Sequence, residues 1–218
     1  MSGKKSVIAI LAVVMSILGG SAAAQDDRNS VRDEKNEVTG MLGRIFISDQ
    51  GILNATNFNH VVRSGKGLTF EVNYARRLFG TPVYAISGEV PAVFNLDEDL
   101  NSGTNVVPKD YKQIFITPSA RVNLFPGTAV SPWVSFGGGF GHFSQNSSLV
   151  FGGPNPGSSS TSGVIQGGFG LDVRVLHQFS IRGQVRDFWS GTPNLPLADT
   201  GKSRQHNFFV GGGVVWHF

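Results

Sequence analysis

The chain has 218 residues, a formal net charge of +3, no cysteine, 29 glycines, 17 phenylalanines and only 15% charged residues. Without cysteine there is no disulfide, no lipid-anchoring thiol and no thiolate metal site. Two of the surplus positive charges are Lys4 and Lys5 in the leader, so the balance implies no nucleic-acid partner.

Lys4 and Lys5 precede an apolar stretch from Val7 to Leu18, and Ala22-Ala23-Ala24 follows as a small-residue cleavage site. This is the layout of an export signal, and the stretch is short for a membrane-spanning helix. Residues 1–24 are therefore expected to be a signal peptide. Residues 25–37 (QDDRNSVRDEKNE) are polar and aperiodic, and are expected to be a flexible lead-in. Residues 38–218 are expected to form one domain.

That domain reads as strands with period-two alternation. The first, Val38 to Ser48, groups Met41, Gly43, Ile45 and Ile47 on one face and puts Arg44 on the other. The second, Gly67 to Leu78, sets Leu68, Phe70, Val72 and Tyr74 against Thr69, Glu71 and Asn73. In the third, Pro82 to Asn95, Tyr84, Ile86, Val90 and Phe94 alternate with Ala85, Ser87, Glu89 and Pro91. The fourth, Tyr111 to Phe125, opposes Ile114, Ile116, Val122 and Leu124 to Thr117, Ser119, Arg121 and Asn123. Pro91 and Pro118 lack a ladder N–H, so each predicts a bulge or a strand end.

The fifth, Pro132 to Ser144, opposes Val134, Phe136 and Phe140 to Ser135, Gly137, Gly139 and Gly141. The sixth, Gly163 to Val175, opposes Ile165, Phe169, Leu171 and Val173 to Gln166, Gly168, Gly170, Asp172 and Arg174. The seventh, Phe179 to Trp189, opposes Phe179, Ile181 and Val185 to Ser180, Arg182, Gln184 and Arg186. The eighth closes the sequence as His206 to Phe218, with Phe208, Val210, Val214, Trp216 and Phe218 on one face.

The connections alternate in length. Long polar loops are expected at 49–66, 96–110, 145–162 and 190–204, and tight turns at Phe79-Gly80-Thr81, Pro126-Gly127 and Leu176-His177-Gln178. Strands of this length, an even count and loops of alternating length predict an all-β fold: an eight-stranded antiparallel up-and-down transmembrane β-barrel. A soluble β-sandwich would carry more charge on its polar face. Aromatic residues near strand ends (Tyr84, Phe94, Trp133, Phe143, Phe179, Trp189, Trp216 and Phe218) are expected to form the two interfacial girdles.

Apolar residues outward place Arg44, Glu71, Glu89, Arg121, Asp172, Arg174, Arg182 and Arg186 in the lumen. A lipid-facing Arg or Lys at mid-membrane costs about 2–4 kcal/mol, so these groups are expected to point inward and pair. Arginine outnumbers carboxylate among them, which predicts a net positive lumen. Either salt bridges plug it or an anion-tolerant passage remains, and a barrel of eight strands is narrow enough for side chains to fill. The inward glycines at 137, 139, 141, 168, 170, 211 and 213 leave room for long side chains or for water. No phosphate loop or metal cluster is present in the sequence, and no cofactor is expected.

The ending Gly213-x-x-Trp216-x-Phe218 resembles the C-terminal signal of bacterial outer-membrane barrels, and the whole predicted domain resembles the small porin-family barrels that include the transmembrane domain of outer membrane protein A. That resemblance implies a Gram-negative outer-membrane location, contact with phospholipid and lipopolysaccharide, and recognition by the insertion machinery. It also implies membrane structure, adhesion through loops or limited permeation; no appended peptidoglycan-binding domain is expected, because the chain ends with the predicted barrel. A second resemblance concerns His142-Phe143-Ser144, which has the His-x-Ser spacing of lipid A 3-O-deacylase, also an eight-stranded barrel. It implies a hydrolase in which imidazole activates the Ser144 hydroxyl. That family adds a downstream acid, whereas no carboxylate occurs here between Ser144 and Asp172. The expected role is therefore structural or surface interaction, with a narrow solute channel and the hydrolase as alternatives.

Overall fold

The computed structural model describes residues 34–47, 50–51, 61–64, 68–98, 100–101, 106–149, 158–191 and 203–218. Its strands are, in chain order, β1 (Asn36–Ile47), β2 (Gln50–Gly51), β3 (Val61–Ser64), β4 (Leu68–Gly80), β5 (Tyr84–Glu98) and β6 (Leu100–Asn101). They continue as β7 (Val106–Ile116), β8 (Ser119–Leu124), β9 (Val130–Leu149), β10 (Ser158–Arg174), β11 (Phe179–Gly191) and β12 (Arg204–His217). The expected signal peptide, residues 1–24, lies outside the described residues.

Eight staves make a closed antiparallel barrel: β1, β4, β5, β7 with β8, β9, β10, β11 and β12. Each stave pairs with its neighbour in the sequence, and β1 pairs with β12 to close the ring, from Glu37 opposite His217 to Ile47 opposite Asn207. Closure leaves no free sheet edge. The last residue is part of the ladder, since Phe218 N–H donates to Asn36 O at 2.9 Å and Asn36 N–H donates to Phe218 O at 3.0 Å. Turns join the staves at the end that holds both of these residues, and the long connections lie at the other. The strands β2, β3 and β6 form a small separate sheet from segments of the long connections.

Along β4 the pleat sorts the side chains as alternation requires: Val72 is 53% exposed and Asn73 is fully buried. The same order holds in β5, β8, β10 and β11. The first strand departs from the expected facing. Met41 and Ile45 are buried inside, while Leu42, Phe46 and Arg44 look outward. Both faces of β1 are apolar, so alternation alone leaves its facing open. The register with β12, which sets Ile45 opposite Phe209, decides it. This strand also starts at Asn36, which brings Glu37 from the expected lead-in into the barrel.

The staves on one side are longer than expected. β5 runs to Glu98, β7 begins at Val106, and β9 reaches Leu149, where it pairs with Val106. Part of each connection expected at 96–110 and 145–162 is therefore ladder. Pro118 falls in the break between β7 and β8, as a residue without an N–H should. Pro91 instead sits inside continuous β5, but its carbonyl, accepting from Thr117 N–H at 3.3 Å, faces that same break. One gap in the ladder thus accommodates both prolines.

Two aromatics expected in the girdles are interior. Trp133 and Phe143 are 2% and 0% exposed, on the same side of β9 as Ser135 and Gly141. Tyr84, Phe179, Trp189, Trp216 and Phe218 are exposed on the outside.

Candidate functional site in the barrel lumen

The lumen is filled in layers. Near the turn end, Arg182 from β11 grips Asp172 of neighbouring β10 with two bonds, Nε to Oδ1 at 2.6 Å and Nη2 to Oδ2 at 2.8 Å. The fork geometry of guanidinium and carboxylate makes such bidentate pairs strong and directional. Glu37 then bridges two arginines, lying 3.0 Å from Arg182 and 2.6 Å from Arg121. Midway up, Arg186 meets Glu89 at 2.8 Å and Glu71 at 3.4 Å.

Neutral groups also donate to these carboxylates. Asn73 and Ser119 donate to Glu89 at 3.0 and 3.1 Å, Gln184 donates to Glu71, and Asn123 and the Trp133 indole donate to Asp172 at 3.3 and 3.2 Å. Trp133 is the hub of the layer: the guanidinium carbons of Arg182, Arg186 and Arg121 lie 5.3, 5.3 and 5.8 Å from its ring centre. A ring face attracts cations through its quadrupole, and more so away from water.

Some of the inward glycines make room for rings, whereas at Gly137, Gly139 and Gly213 a Cβ would meet the neighbouring strand's backbone. A Cβ on Gly170 would stand 2.6 Å from Trp133 Cζ2, one on Gly141 would stand 2.9 Å from Phe115 Cε1, and one on Gly43 would stand 2.6 Å from Phe209 Cε2. Toward the loop end the lumen becomes apolar. Phe115, Phe143, Phe188 and Phe209 form one buried cluster with Ile45, Val93 and Val164. Phe115 and Phe188 stack at 4.7 Å, and Phe143 meets Phe115 edge-on at 5.6 Å. Beyond the rings lies an amide layer, where Asn207 donates to Phe188 O and Ser190 Oγ at 2.9 and 3.1 Å.

Of the expected lumen charges, Glu71, Glu89, Arg121, Asp172, Arg182 and Arg186 are buried and joined in this network. Arg174 stands apart at the turn end, half-buried, with Nη2 on Pro126 O at 3.0 Å. Arg44 is on the outer face. Glu37 joins in their place, on the face of β1 that also carries Thr39, Met41 and Ile45. In this network, among the described residues, three guanidiniums face four carboxylates, so the expected positive excess is absent there. At the turn end a cavity of about 60 Å³ is lined by Glu37, Arg121, Asp172, Ser180 and His217 among others.

His142 and Ser144 are half-buried on the outer face of β9. Imidazole Nδ1 lies 2.9 Å from Thr161 Oγ1, a hydroxyl rather than a carboxylate. A hydroxyl there can orient the ring but cannot stabilise an imidazolium as an acid does. In the closing strand Gly213 faces inward against Met41, while the rings of Trp216 and Phe218 pack outside at 4.8 Å.

No family model and no curated protein matches the sequence. Among solved structures, Neisserial surface protein A superimposes with a TM-score of 0.52 at 14% identity, covering 84% of this chain and 97% of that one. The outer membrane protein OprG from Pseudomonas aeruginosa also gives 0.52, at 10% identity, covering 88% of this chain and 99% of that one. Identity this low speaks for architecture alone. In strand count, closure and order, this chain has the fold of the eight-stranded outer-membrane β-barrels.

Proposed function

We propose that the chain is an integral outer-membrane protein with a structural or surface-interaction role, whose lumen is closed by ion pairs and phenyl rings. The membrane location is supported by the outside of the barrel. Val72, Phe136, Phe169, Ile181 and Val214, spread over five staves, are all more than half exposed. Such a belt suits hydrocarbon, whereas in water it would be an adhesive patch far larger than soluble proteins carry. On this reading residues 1–24 are the export signal. The partners are phospholipid, lipopolysaccharide and the insertion machinery, which reads Gly213, Trp216 and Phe218.

One observation carries the closed lumen. Phe115 and Phe188 stand on staves three places apart around the ring, yet their rings stack at 4.7 Å. Rings in van der Waals contact across the bore leave no aqueous file between them, and the ionic layer lies beneath. Recording from the purified protein in planar lipid bilayers tests this. The expected trace is flat. Discrete steps of uniform size would overturn the closed lumen in favour of a narrow solute channel.

A further inference from the structure

Two charges face outward from the wall where the barrel closes, one on each side of β12. Arg44 of β1 is exposed in the row between Leu42 and Phe46, and among the described residues no hydrogen bond or ion pair engages it. Asp187 of β11 meets His206 Nδ1 through Oδ2 at 2.7 Å, and its Oδ1 has no partner. Charges on a hydrocarbon-facing wall are costly unless they pair. In one chain the outward side chains of Phe208 and Val210 on β12 stand between these two.

Their depths follow from the slant of the strands. Followed from partner to partner once round the wall, the ladder leaves β1 at Glu37 and returns to it at Ile47, ten residues nearer the loop end. Each strand passed therefore shifts the depth by about one and a quarter residues, and the two steps from β11 to β1 by about two and a half. Asp187 is laddered through Phe208 to Phe46, which lies two residues beyond Arg44. Arg44 and Asp187 consequently share one depth in the membrane. Four residues nearer the turn end on the same two strands stand Gly40 and Gly183, and Gly212 lies between them on β12. A Cβ on Gly40 or Gly183 would meet nothing within 4 Å, and one on Gly212 would meet the Arg182 carbonyl at 3.7 Å. Below the charges the wall is thus bare across three strands.

A two-fold axis parallel to the barrel and passing over β12 sets β1 of one copy against β11 of the other, and does so twice. Copies inserted in the same direction close as a pair only about such an axis. Arg44 then meets the partner's Asp187 at its own depth, and the broad χ2 torsion of aspartate lets the carboxylate turn Oδ1 toward it. Val210 and Phe208 pack on their own copies at the axis. The glycine patches come together beneath, where missing side chains let two walls approach closely, the main source of association in lipid. Arg204 stands four residues beyond Phe208 toward the loops, with its guanidinium 4.4 Å from the Trp189 ring centre, where water screens it from its copy.

Resting on the outer-membrane reading above, we infer that this face docks a second copy of the chain, forming a two-fold dimer centred on β12. Two Arg44–Asp187 pairs hold it above the glycine contact. An unpaired cation and a carboxylate with a free oxygen, at one depth and evenly placed about one strand, complement their own copy, and a different partner requires no such symmetry.

The test uses the full chain expressed in cells. It has no cysteine of its own, so Val210→Cys places a single thiol near the axis for oxidative cross-linking in isolated outer membranes. Val90→Cys, equally outward on β5, is the control, and heat-modifiable gel migration reports folding. Val210→Cys is expected to give a covalent dimer and Val90→Cys none; equal cross-linking at the two positions overturns the interface. Added to Val210→Cys, Arg44→Asp and Asp187→Arg each set like charges together at both contacts, and each is expected to cut the dimer about tenfold. Cells making both variant chains are expected to recover it, because every contact is then an opposite pair again. Single variants that cross-link as the parent does, or a mixture that stays monomeric, overturn the proposal. Should the charged variants fail to fold, Gly183→Leu fills open space and is expected to hold the walls apart; an undiminished dimer with it overturns the glycine contact and the proposal with it. A parent that stays monomeric and retains phospholipid in native mass spectrometry, lost in Arg44→Gln, assigns Arg44 to a lipid head group and overturns the dimer. Membrane fractionation separates the two levels: a chain missing from the outer-membrane fraction sinks the location, whereas a monomer found there sinks only the dimer.

Discussion

Arg186 on β11 and Glu89 on β5 stand on diametrically opposite staves, yet Nη1 and Oε1 are 2.8 Å apart. Only a narrow barrel permits that, since eight strands enclose a bore that side chains can fill. Replacing Arg186 by Met leaves Glu71 buried without a guanidinium and Glu89 with Arg121 alone, at 3.3 Å. Removing one member of a buried pair typically costs about 3–5 kcal/mol. Urea unfolding in lipid vesicles should register a loss of that size, and a loss under about 1 kcal/mol would refute the strut.

Gly170 and Gly167 lie on opposite faces of one strand and should respond unequally to the same change. A Cβ at Gly170 meets the Gly183 carbonyl of the neighbouring strand and the Trp133 ring, whereas one at Gly167 meets nothing within 4 Å. Gly170→Ala is expected to cost about 1–3 kcal/mol through overpacking and to shift the Trp133 emission. Gly167→Ala should stay within about 0.5 kcal/mol.

Phe115 touches both Phe143 and Phe188, so its loss opens the apolar layer from two sides. Phe115→Ala is expected to cost about 3–5 kcal/mol, as large core truncations do. The Phe115→Ala/Phe188→Ala double variant should introduce conductance steps that the parent lacks. A double variant that folds and stays silent would assign the seal to the ionic layer alone.

Phe218 is exposed outside, while its backbone closes the ladder to Asn36. The side chain can therefore be changed without breaking closure. Phe218→Ala should refold in detergent at the parent's rate, yet assemble more slowly in membranes containing the insertion machinery. Equal assembly rates would remove the role given to this residue.

For the hydrolase alternative the decisive assay is direct. The Nδ1 of His142 faces Thr161, so purified protein is expected to release no acyl chain from lipid A. Release that disappears in Ser144→Ala would establish the enzyme.

The interior of β9 was readable before any coordinates. Trp133 and Phe143 share parity with Ser135, Gly137 and Gly141, so assigning the glycines inward assigns the two rings inward as well. Placing them in the girdles follows from nearness to strand ends, and parity is the stronger constraint because a pleat cannot skip a face. Glu37 was not legible in the same way: it shares a face with Thr39, Met41 and Ile45, and the alternation of β1 leaves that face's direction open.

Period-two alternation, the strand count and the rhythm of loop and turn determined a closed eight-stranded meander with Glu71, Glu89, Arg121, Asp172, Arg182 and Arg186 turned in, because each is a local property of the chain. Tertiary structure alone decided which apolar face of β1 looks inward, since Met41 with Ile45 and Leu42 with Phe46 satisfy a greasy face equally well until Phe209 packs on one of them. It alone also decided that Arg186 reaches Glu89 and that Phe115 meets Phe188. Those contacts join staves far apart in sequence, and their distances are set by barrel radius and register rather than by any neighbouring residue.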